Sequence, residues 1–360
     1  INFGTGLEFF GSVLIPFYTQ WGQITYVQIM LLQSVFVGVH FLAEVPTGTL
    51  ADKIGRKATL VLSLVTLPAC FLLYSWKPDF RVFVLAEAIA GIGFALRSGA
   101  QEAMLYDSLV ELDREKESKQ LMGRIGSTFQ IGMLLGLPLG SLMATTIGLQ
   151  NTVRMSAFGP TASLIVCATL VEPLTENQNE VEKKAFQLAK NAWKQLKDNA
   201  SLRRITIFSV LVSFLGYIGF WAYQVRLLNM GMEIRHLGLV KMGIALVEIL
   251  MLNSFGRFRK SKNRRTPQTP NESKEAKSSN KRSLFVILIT VGTCYVVTGT
   301  SSNIVAVSIT MAIGIGIAWA STILMSNFLN KHIKSEDRAT VVSTVSMFRQ
   351  GIVMILTPSV

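Results

Sequence analysis

Apolar residues run along this chain in blocks of about twenty, parted by short charged joins. The pattern shows neither the two-residue alternation of a half-buried strand nor the single apolar stripe of a soluble amphipathic helix. A block of about twenty apolar residues has the length a helix needs to cross a bilayer. A window of about nineteen residues predicts eleven such helices, at 1–20, 24–51, 58–76, 79–109, 119–146, 150–172, 204–226, 234–256, 284–301, 303–331 and 337–360. The sequence opens inside one apolar run and stops inside another, so the expectation is a fragment lacking a short N-terminus and one further helix. Six spans precede a polar stretch from Pro173 to Arg204 and five follow it. The domain reading is an N-terminal six-helix bundle at 1–172, a linker at 173–203 and a C-terminal helix bundle at 204–360 with a disordered basic loop at about 257–283.

Composition agrees with a membrane protein: half the residues are apolar, 16% are charged and the mean hydropathy is positive. The net charge of +13 raises the question of nucleic acid, and the placement of the bases answers it. Of 35 Lys and Arg, 27 fall in the joins on the side of Asp52, 5 in the joins opposite, and Arg97, Lys241 and Arg349 within spans. That bias is the positive-inside rule and places the Asp52 join in the cytoplasm. No nucleic-acid partner is expected. In the linker, Val181, Ala185, Leu188, Ala189, Ala192, Trp193 and Leu196 recur at helical spacing among lysines, the pattern of an amphipathic helix on an anionic leaflet. Cys70, Cys167 and Cys294 lie in apolar spans, at spacings that suit neither a metal nor a disulfide framework.

The join between the second and third spans reads Gly48-Thr49-Leu50-Ala51-Asp52-Lys53-Ile54-Gly55-Arg56-Lys57. Gly48 permits close backbone approach and Gly55 a sharp turn, while the three bases anchor the join. Asp52 is a carboxylate that neighbouring bases or a helix N-terminus can fix. The spacing G-x-x-x-D-[RK]-x-G-R-[KR] between two apolar spans resembles the signature loop of the major facilitator superfamily of secondary transporters. The resemblance implies an all-α membrane fold of two pseudo-symmetric six-helix bundles, the twelfth helix lying outside this sequence. It also implies alternating access to a small-molecule substrate, a monomer in the lipid bilayer, and a proton gradient as energy source with no cofactor or metal. By the same resemblance, Asp107 and the stretch Ser335-Glu336-Asp337-Arg338-Ala339-Thr340 would join Asp52 and Arg56 in a cytoplasmic lock. A fainter echo, Ser254-Phe255-Gly256-Arg257-Phe258-Arg259, lacks the Asp.

A charge at the bilayer centre costs at least about 2.5 to 3.5 kcal/mol, so ionisable residues within spans are the candidates for function. In the first half these are Glu8, Glu44, Glu87, Arg97, Glu102 and Asp107, and in the second Lys241, Glu248 and Arg349. Glu8, mid-way along the first span, is the first candidate for a proton-accepting carboxylate, with a structural pairing to Arg97 as the alternative. Glu87, Gly91, Ser98 and Glu102 fall on one stripe of the fourth span. Drug and proton antiporters of the superfamily carry R-x-x-x-G about there, but the residue four before Gly91 is Glu87, so Arg97 would have to supply the cation. Gly132, Gly136, Pro138 and Gly140 are similar to the antiporter motif G-x-x-x-G-P-x-x-G with the Pro one residue late, and glycines at this spacing allow close helix crossing. Lys241 is discounted as able to snorkel outward. Glu248 and Arg349 are a candidate pair. Tyr217, Trp221, Tyr223, Gln224, Asn303, Trp319 and Asn327 are candidate ligand contacts. No nucleophile constellation, phosphate loop or metal spacing points to an enzyme. The function expected is proton-coupled efflux of amphipathic or cationic compounds, with a sugar or nutrient symporter as alternative, and a non-transporting receptor or scaffold from another class.

Overall fold

The structure, a computed structural model, describes residues 1–173, 200–262 and 270–332 and the single positions 345 and 352. Its helices are α1 (Asn2–Gly6), α2 (Tyr26–Ile54), α3 (Arg56–Tyr74), α4 (Phe80–Glu111), α5 (Ser118–Thr146), α6 (Leu149–Met155), α7 (Phe158–Ala168), α8 (Ala200–Asn229), α9 (Ile234–Lys262), α10 (Pro270–Thr300) and α11 (Ile304–His332). No strand occurs among the described residues. Seven helices among them are long and apolar enough to cross a membrane, and Phe285–Thr300 is a shorter apolar stretch at the end of α10. The chain is an all-helical multi-pass membrane protein. The predicted span 337–360, the linker helix and Arg349 lie outside the described residues.

Two predicted spans are not continuous helices. The first breaks after α1 into a 3-10 turn at Phe10–Ser12, a single helical turn at Leu14–Pro16 and a π-turn at Phe17–Trp21. Glu8 therefore sits in unwound backbone rather than mid-helix. The cause is legible in Gly4, Gly6 and Gly11, each a weak helix former. In a membrane the amides freed by unwinding need partners inside the protein. Ser156 Oγ accepts from the Phe10 N–H at 2.9 Å, and the Ser12 hydroxyl donates to the Phe9 carbonyl at 2.9 Å. The sixth predicted span breaks between α6 and α7, just before Gly159 and Pro160.

The described chain separates into two compact units, 1–173 with 234–238, and 200–233 with 239–262 and 270–332. In the first unit α2 packs on α4, α4 on α3, and α1 lies against α5 and α7. The helix ends carry ordinary signals. Thr25 and Gln28 form a capping box at the start of α2. Asp79 caps α4 by accepting from the Arg81 N–H at 2.9 Å, a bond that, with Lys77 nearby, holds its carboxyl below the usual range. Beneath the Asp52 end lies a core of Ala51, Leu60, Leu64, Ala100, Met104 and Cys167. In the second unit α8 and α10 pack on α11 around Val212, Ile287, Val291, Ile317 and Ala318. All three cysteines are free and buried, as packing residues should be.

The second-half joins depart from expectation. The echo at Ser254–Arg259 is no turn, because α9 runs through it to Lys262. The region read as a disordered basic loop is helical over 257–262 and 270–283. Pro270 occupies the first helical position and Glu272 and Glu275 follow in the opening turns, which is a helix start signal that outweighs the polar composition.

Candidate functional site

The signature join is a hairpin of helices hinged on one glycine. Gly55 separates α2 from α3 at φ +96° and ψ 160°, a conformation that costs an L side chain about 1 to 3 kcal/mol. Arg56, the first residue of α3, reaches back to Asp52 at 2.7 Å and across to Asp107 on α4 at 3.5 Å. The second contact is an ion pair without hydrogen-bond alignment, since Asp107 Oδ2 has no hydrogen-bond donor. The expected meeting of Asp107 with Arg56 is therefore present, whereas 335–340, the other half of the proposed lock, lies outside the described residues. Gly48 departs from its expected role: a Cβ there would meet no described atom within 4 Å, so no helix crosses it closely within this unit.

Glu172 had no place among the sequence candidates. Its carboxylate accepts from the Arg56 N–H at 2.5 Å and the Lys57 N–H at 2.7 Å. It is the anionic cap of α3, contributed from beyond α7, and it ties the end of the sixth predicted span to the turn. A carboxylate directly after an apolar run and before Pro173 was the only available signal. Replacing Glu172 with Ala removes both acceptors and the charge at the helix N-terminus, with an expected loss of about 1 to 2 kcal/mol in detergent unfolding. Glu172→Gln is expected to lose less. Gly55→Val adds backbone strain and a Cβ 2.9 Å from the Glu172 carboxylate, and its melting temperature is expected to fall below that of Glu172→Ala.

Glu87 lies two turns into α4 and is only 4% exposed. The Tyr18 hydroxyl donates to its Oε1 at 3.0 Å and the Gln33 amide donates to the same oxygen at 2.9 Å. Around it Phe10, Phe17, Tyr18, Tyr74 and Phe83 pack mostly edge to face, with centroids 5.1–6.4 Å apart. Among the described residues no Lys or Arg forms an ion pair with Glu87. Its bonded neighbours are uncharged, and tyrosine hydroxyls can serve either a carboxylate or a carboxylic acid.

The remaining stripe does not stay together. Gly91 is pressed against the backbone of α2 at Phe36 and His40, while Ser98 and Glu102 are exposed. Arg97 sits about 15 Å along the helix from Glu87 at 1.5 Å per residue. It donates to Gln101 at 3.2 Å and lies 5.6 Å from the Phe129 ring centroid, so it is not the cation of the Glu87 shell. Glu8 is half-buried and Glu44 exposed. The glycine motif on α5 holds the broken first element. A Cβ at Gly132 would overlap the Phe3 carbonyl oxygen, one at Gly140 the Phe9 carbonyl oxygen, and one at Gly136 would stand 2.7 Å from the Glu8 nitrogen. The close crossing expected of these glycines is thus with the short helix α1 at Gly132 and with the unwound backbone after it at Gly136 and Gly140. Pro138 lies within α5 without ending it.

In the second unit Lys241 does not snorkel. It is 6% exposed, and its ammonium lies 5.0 Å from the Phe220 ring centroid. Phe220 also packs against Trp221, Tyr223 and Trp319. The Gln224 amide donates to the Tyr223 hydroxyl at 2.8 Å. Asn303 is structural: its Oδ1 accepts from the Val305 and Ala306 amides at the start of α11. Glu248 is half-buried on α9, its candidate partner Arg349 lies outside the described residues, and so does the Asn327 side chain.

A sequence model of the Major Facilitator Superfamily matches residues 2–358. The inner membrane transport protein YajR of Escherichia coli is 25% identical over 163 residues, which are 44% of this chain and 35% of YajR. The class H tetracycline resistance protein of Pasteurella multocida is 29% identical over 96 residues, 27% of this chain and 23% of that protein. A glucose/galactose transporter of Brucella abortus is 32% identical over 88 residues, 24% of this chain and 21% of the transporter. These alignments span about a third of the curated relatives or less. Among solved structures, the nucleoside transporter NupG superposes with a TM-score of 0.73 at 15% identity, covering 99% of this chain and 88% of NupG. A bacterial homologue of the human lysosomal transporter Spinster gives 0.74 at 15%, covering 99% of this chain and 79% of the homologue. With the signature turn, the helical fold and a match along almost its whole length, this chain belongs to the major facilitator superfamily.

Proposed function

We propose that the protein is a secondary transporter of the cytoplasmic membrane, not an enzyme, that exports an amphipathic small molecule in exchange for protons. The observation that carries the reading is Glu87, a carboxyl group sealed in a membrane helix among neutral donors that tolerate it with or without its proton. Such an intramembrane acid is costly when charged and is retained for function more often than for packing. Gaining and losing one proton there changes the charge of the first bundle by one unit, which is how a proton can bias one access state over another. The signature turn, with Arg56 between Asp52 and Asp107, is the element whose packing the two states would exchange on the cytoplasmic side. The likeness to a tetracycline resistance protein supports efflux.

A proton-coupled sugar or nutrient symporter is the second reading, favoured by the local likeness to a glucose/galactose transporter. Everted membrane vesicles with an imposed pH gradient separate the two. Efflux by exchange predicts uptake of an amphipathic compound such as ethidium or a fluorescent fatty amide when the vesicle interior is acidic. Symport predicts uptake when the exterior is the acidic side. Binding without flux in either direction would leave a receptor.

A further inference from the structure

Arg97 is a charge of the first bundle that neither the signature turn nor proton exchange at Glu87 employs. It stands midway along α4, more than about 20 Å of helix from either end at 1.5 Å per residue. The bilayer core is about 30 Å thick, and snorkelling to its surface serves residues near helix ends. The protein around Arg97 does not neutralise it. Its Nε–H donates to the Gln101 carbonyl at 3.2 Å, and the Phe129 ring of α5 lies 5.6 Å from the guanidinium carbon. Among the described residues no acid forms an ion pair with it, neither Glu8, Glu44, Glu87 nor Glu102. The pairing with Glu8 considered from the sequence is therefore not made. The N–H groups on both Nη atoms have no acceptor among the described residues.

There is room for a ligand beside this guanidinium. Arg97 is half-buried rather than sealed. Gly126, one turn before Phe129 on the same side of α5, is exposed, and a Cβ there would meet no described atom within 4 Å. Ser98 and Ser127 are exposed as well. An unpaired charge with polar neighbours at this depth faces a protein interior or water rather than acyl chains. Phosphates of lipid head groups lie at the membrane surfaces, away from the middle of α4. A guanidinium is a rigid fork that holds an oxyanion by two parallel hydrogen bonds, and with Nε engaged by Gln101 the two Nη atoms are what it can offer. We infer that Arg97, flanked by Phe129, binds the carboxylate or sulfonate of the transported compound in the first bundle. The inference rests on the transport reading and narrows the substrate from amphipathic compounds in general to those bearing an acidic group.

The test uses the detergent-purified full chain with Cys70, Cys167 and Cys294 changed to Ala and Gly126→Cys as the reactive thiol, folding of each variant being checked by size exclusion. Two methanethiosulfonate reagents of similar size, one bearing a sulfonate and one a trimethylammonium, report the local charge through their labelling rates. Their ratio cancels changes in the thiol itself. The expected result is that Arg97→Gln lowers the sulfonate-to-ammonium ratio at least about threefold, as loss of a cation depletes anions nearby. Arg97→Lys keeps the ratio. The anionic ligand probe is 2-naphthoate and its neutral control 2-naphthamide. Naphthoate slows labelling and naphthamide does not, and this protection weakens in Arg97→Lys, which lacks the fork, and disappears in Arg97→Gln. A ratio unchanged in Arg97→Gln, protection that survives in it, or naphthoate protecting no better than naphthamide would each overturn the site. If Arg97→Gln does not fold, the two naphthyl probes in the parent and in Arg97→Lys still decide. Labelling needs no proton gradient and is expected to be the same in Glu87→Gln, so failure of proton coupling and failure of this site are read separately.

Discussion

Changing Gly140 to Val is expected to prevent the first bundle from assembling. The valine Cβ would enter the space held by the Phe9 carbonyl oxygen and backbone, and the first element has no slack, because its unwound amides are already engaged by Ser156 and by its own turns. Backbone cannot swing aside as a side chain can. A loss of more than about 3 kcal/mol is expected, at the upper end of overpacking effects. Gly136→Leu should behave in the same way, with its Cβ 2.7 Å from the Glu8 nitrogen. The control is on the same helix: a Cβ at Gly123 or Gly126 meets nothing described within 4 Å. Alanine there is expected to be neutral or to stabilise α5 by about 0.5 to 1 kcal/mol. Recovery of monodisperse protein and its melting temperature in detergent check both. Equal losses at Gly126 and Gly140 would mean that the groove around α1 is not what these glycines serve.

Glu87→Gln is expected to keep the fold and abolish proton coupling. The amide oxygen can still accept from Tyr18 and Gln33, so the hydrogen-bonded frame survives while the titratable group is gone. One proton exchanged per substrate turns a gradient of two pH units into about a hundredfold substrate gradient, since each unit equals 1.36 kcal/mol. The variant should bring that gradient to one while exchange of labelled for unlabelled substrate continues. Glu87→Ala is a different experiment. It strands donors in a sealed aromatic shell, at about 1 to 3 kcal/mol for each one left unmet, and lost activity there would not distinguish coupling from folding. Glu8→Gln tests the other carboxylate. Glu8 lies in unwound backbone against Gly136, and if coupling fails there and survives at Glu87, the roles assigned to the two acids exchange.

The residues that announced themselves in the sequence were those whose chemistry is local. Gly55 had to turn, Arg56 had to meet an acid, and long apolar runs had to cross a membrane. Asp107 was reachable because a one-helix register placed it at the Asp52 end. What hydropathy could not show was whether an apolar run stays helical. The two breaks meet each other: Ser156, in the gap between α6 and α7, takes the Phe10 N–H of the unwound first element across 146 residues of sequence, a long-range fact. Glu172 was hidden for the same reason, since its partners are two backbone amides more than a hundred residues away. Gln33, Tyr18 and Tyr74 were unremarkable until Glu87 stood among them. Lys241 was misread because distance from a helix end decides snorkelling only when the side chain is free to turn outward, and Phe220 holds it inward. The polar stretch after Pro270 was judged by composition when its order of residues was that of a helix start.

The most direct test of the account is the direction in which protons move when substrate moves. Proteoliposomes holding the purified chain and a pH-sensitive dye are given amphipathic carboxylates, amines and sugars in turn, with no pH gradient imposed. The account predicts that an amphipathic compound carried into the lumen by the protein makes the lumen more alkaline, and that Glu87→Gln removes this change while labelled exchange persists. Acidification accompanying uptake, or an unaltered pH response in Glu87→Gln, would contradict it.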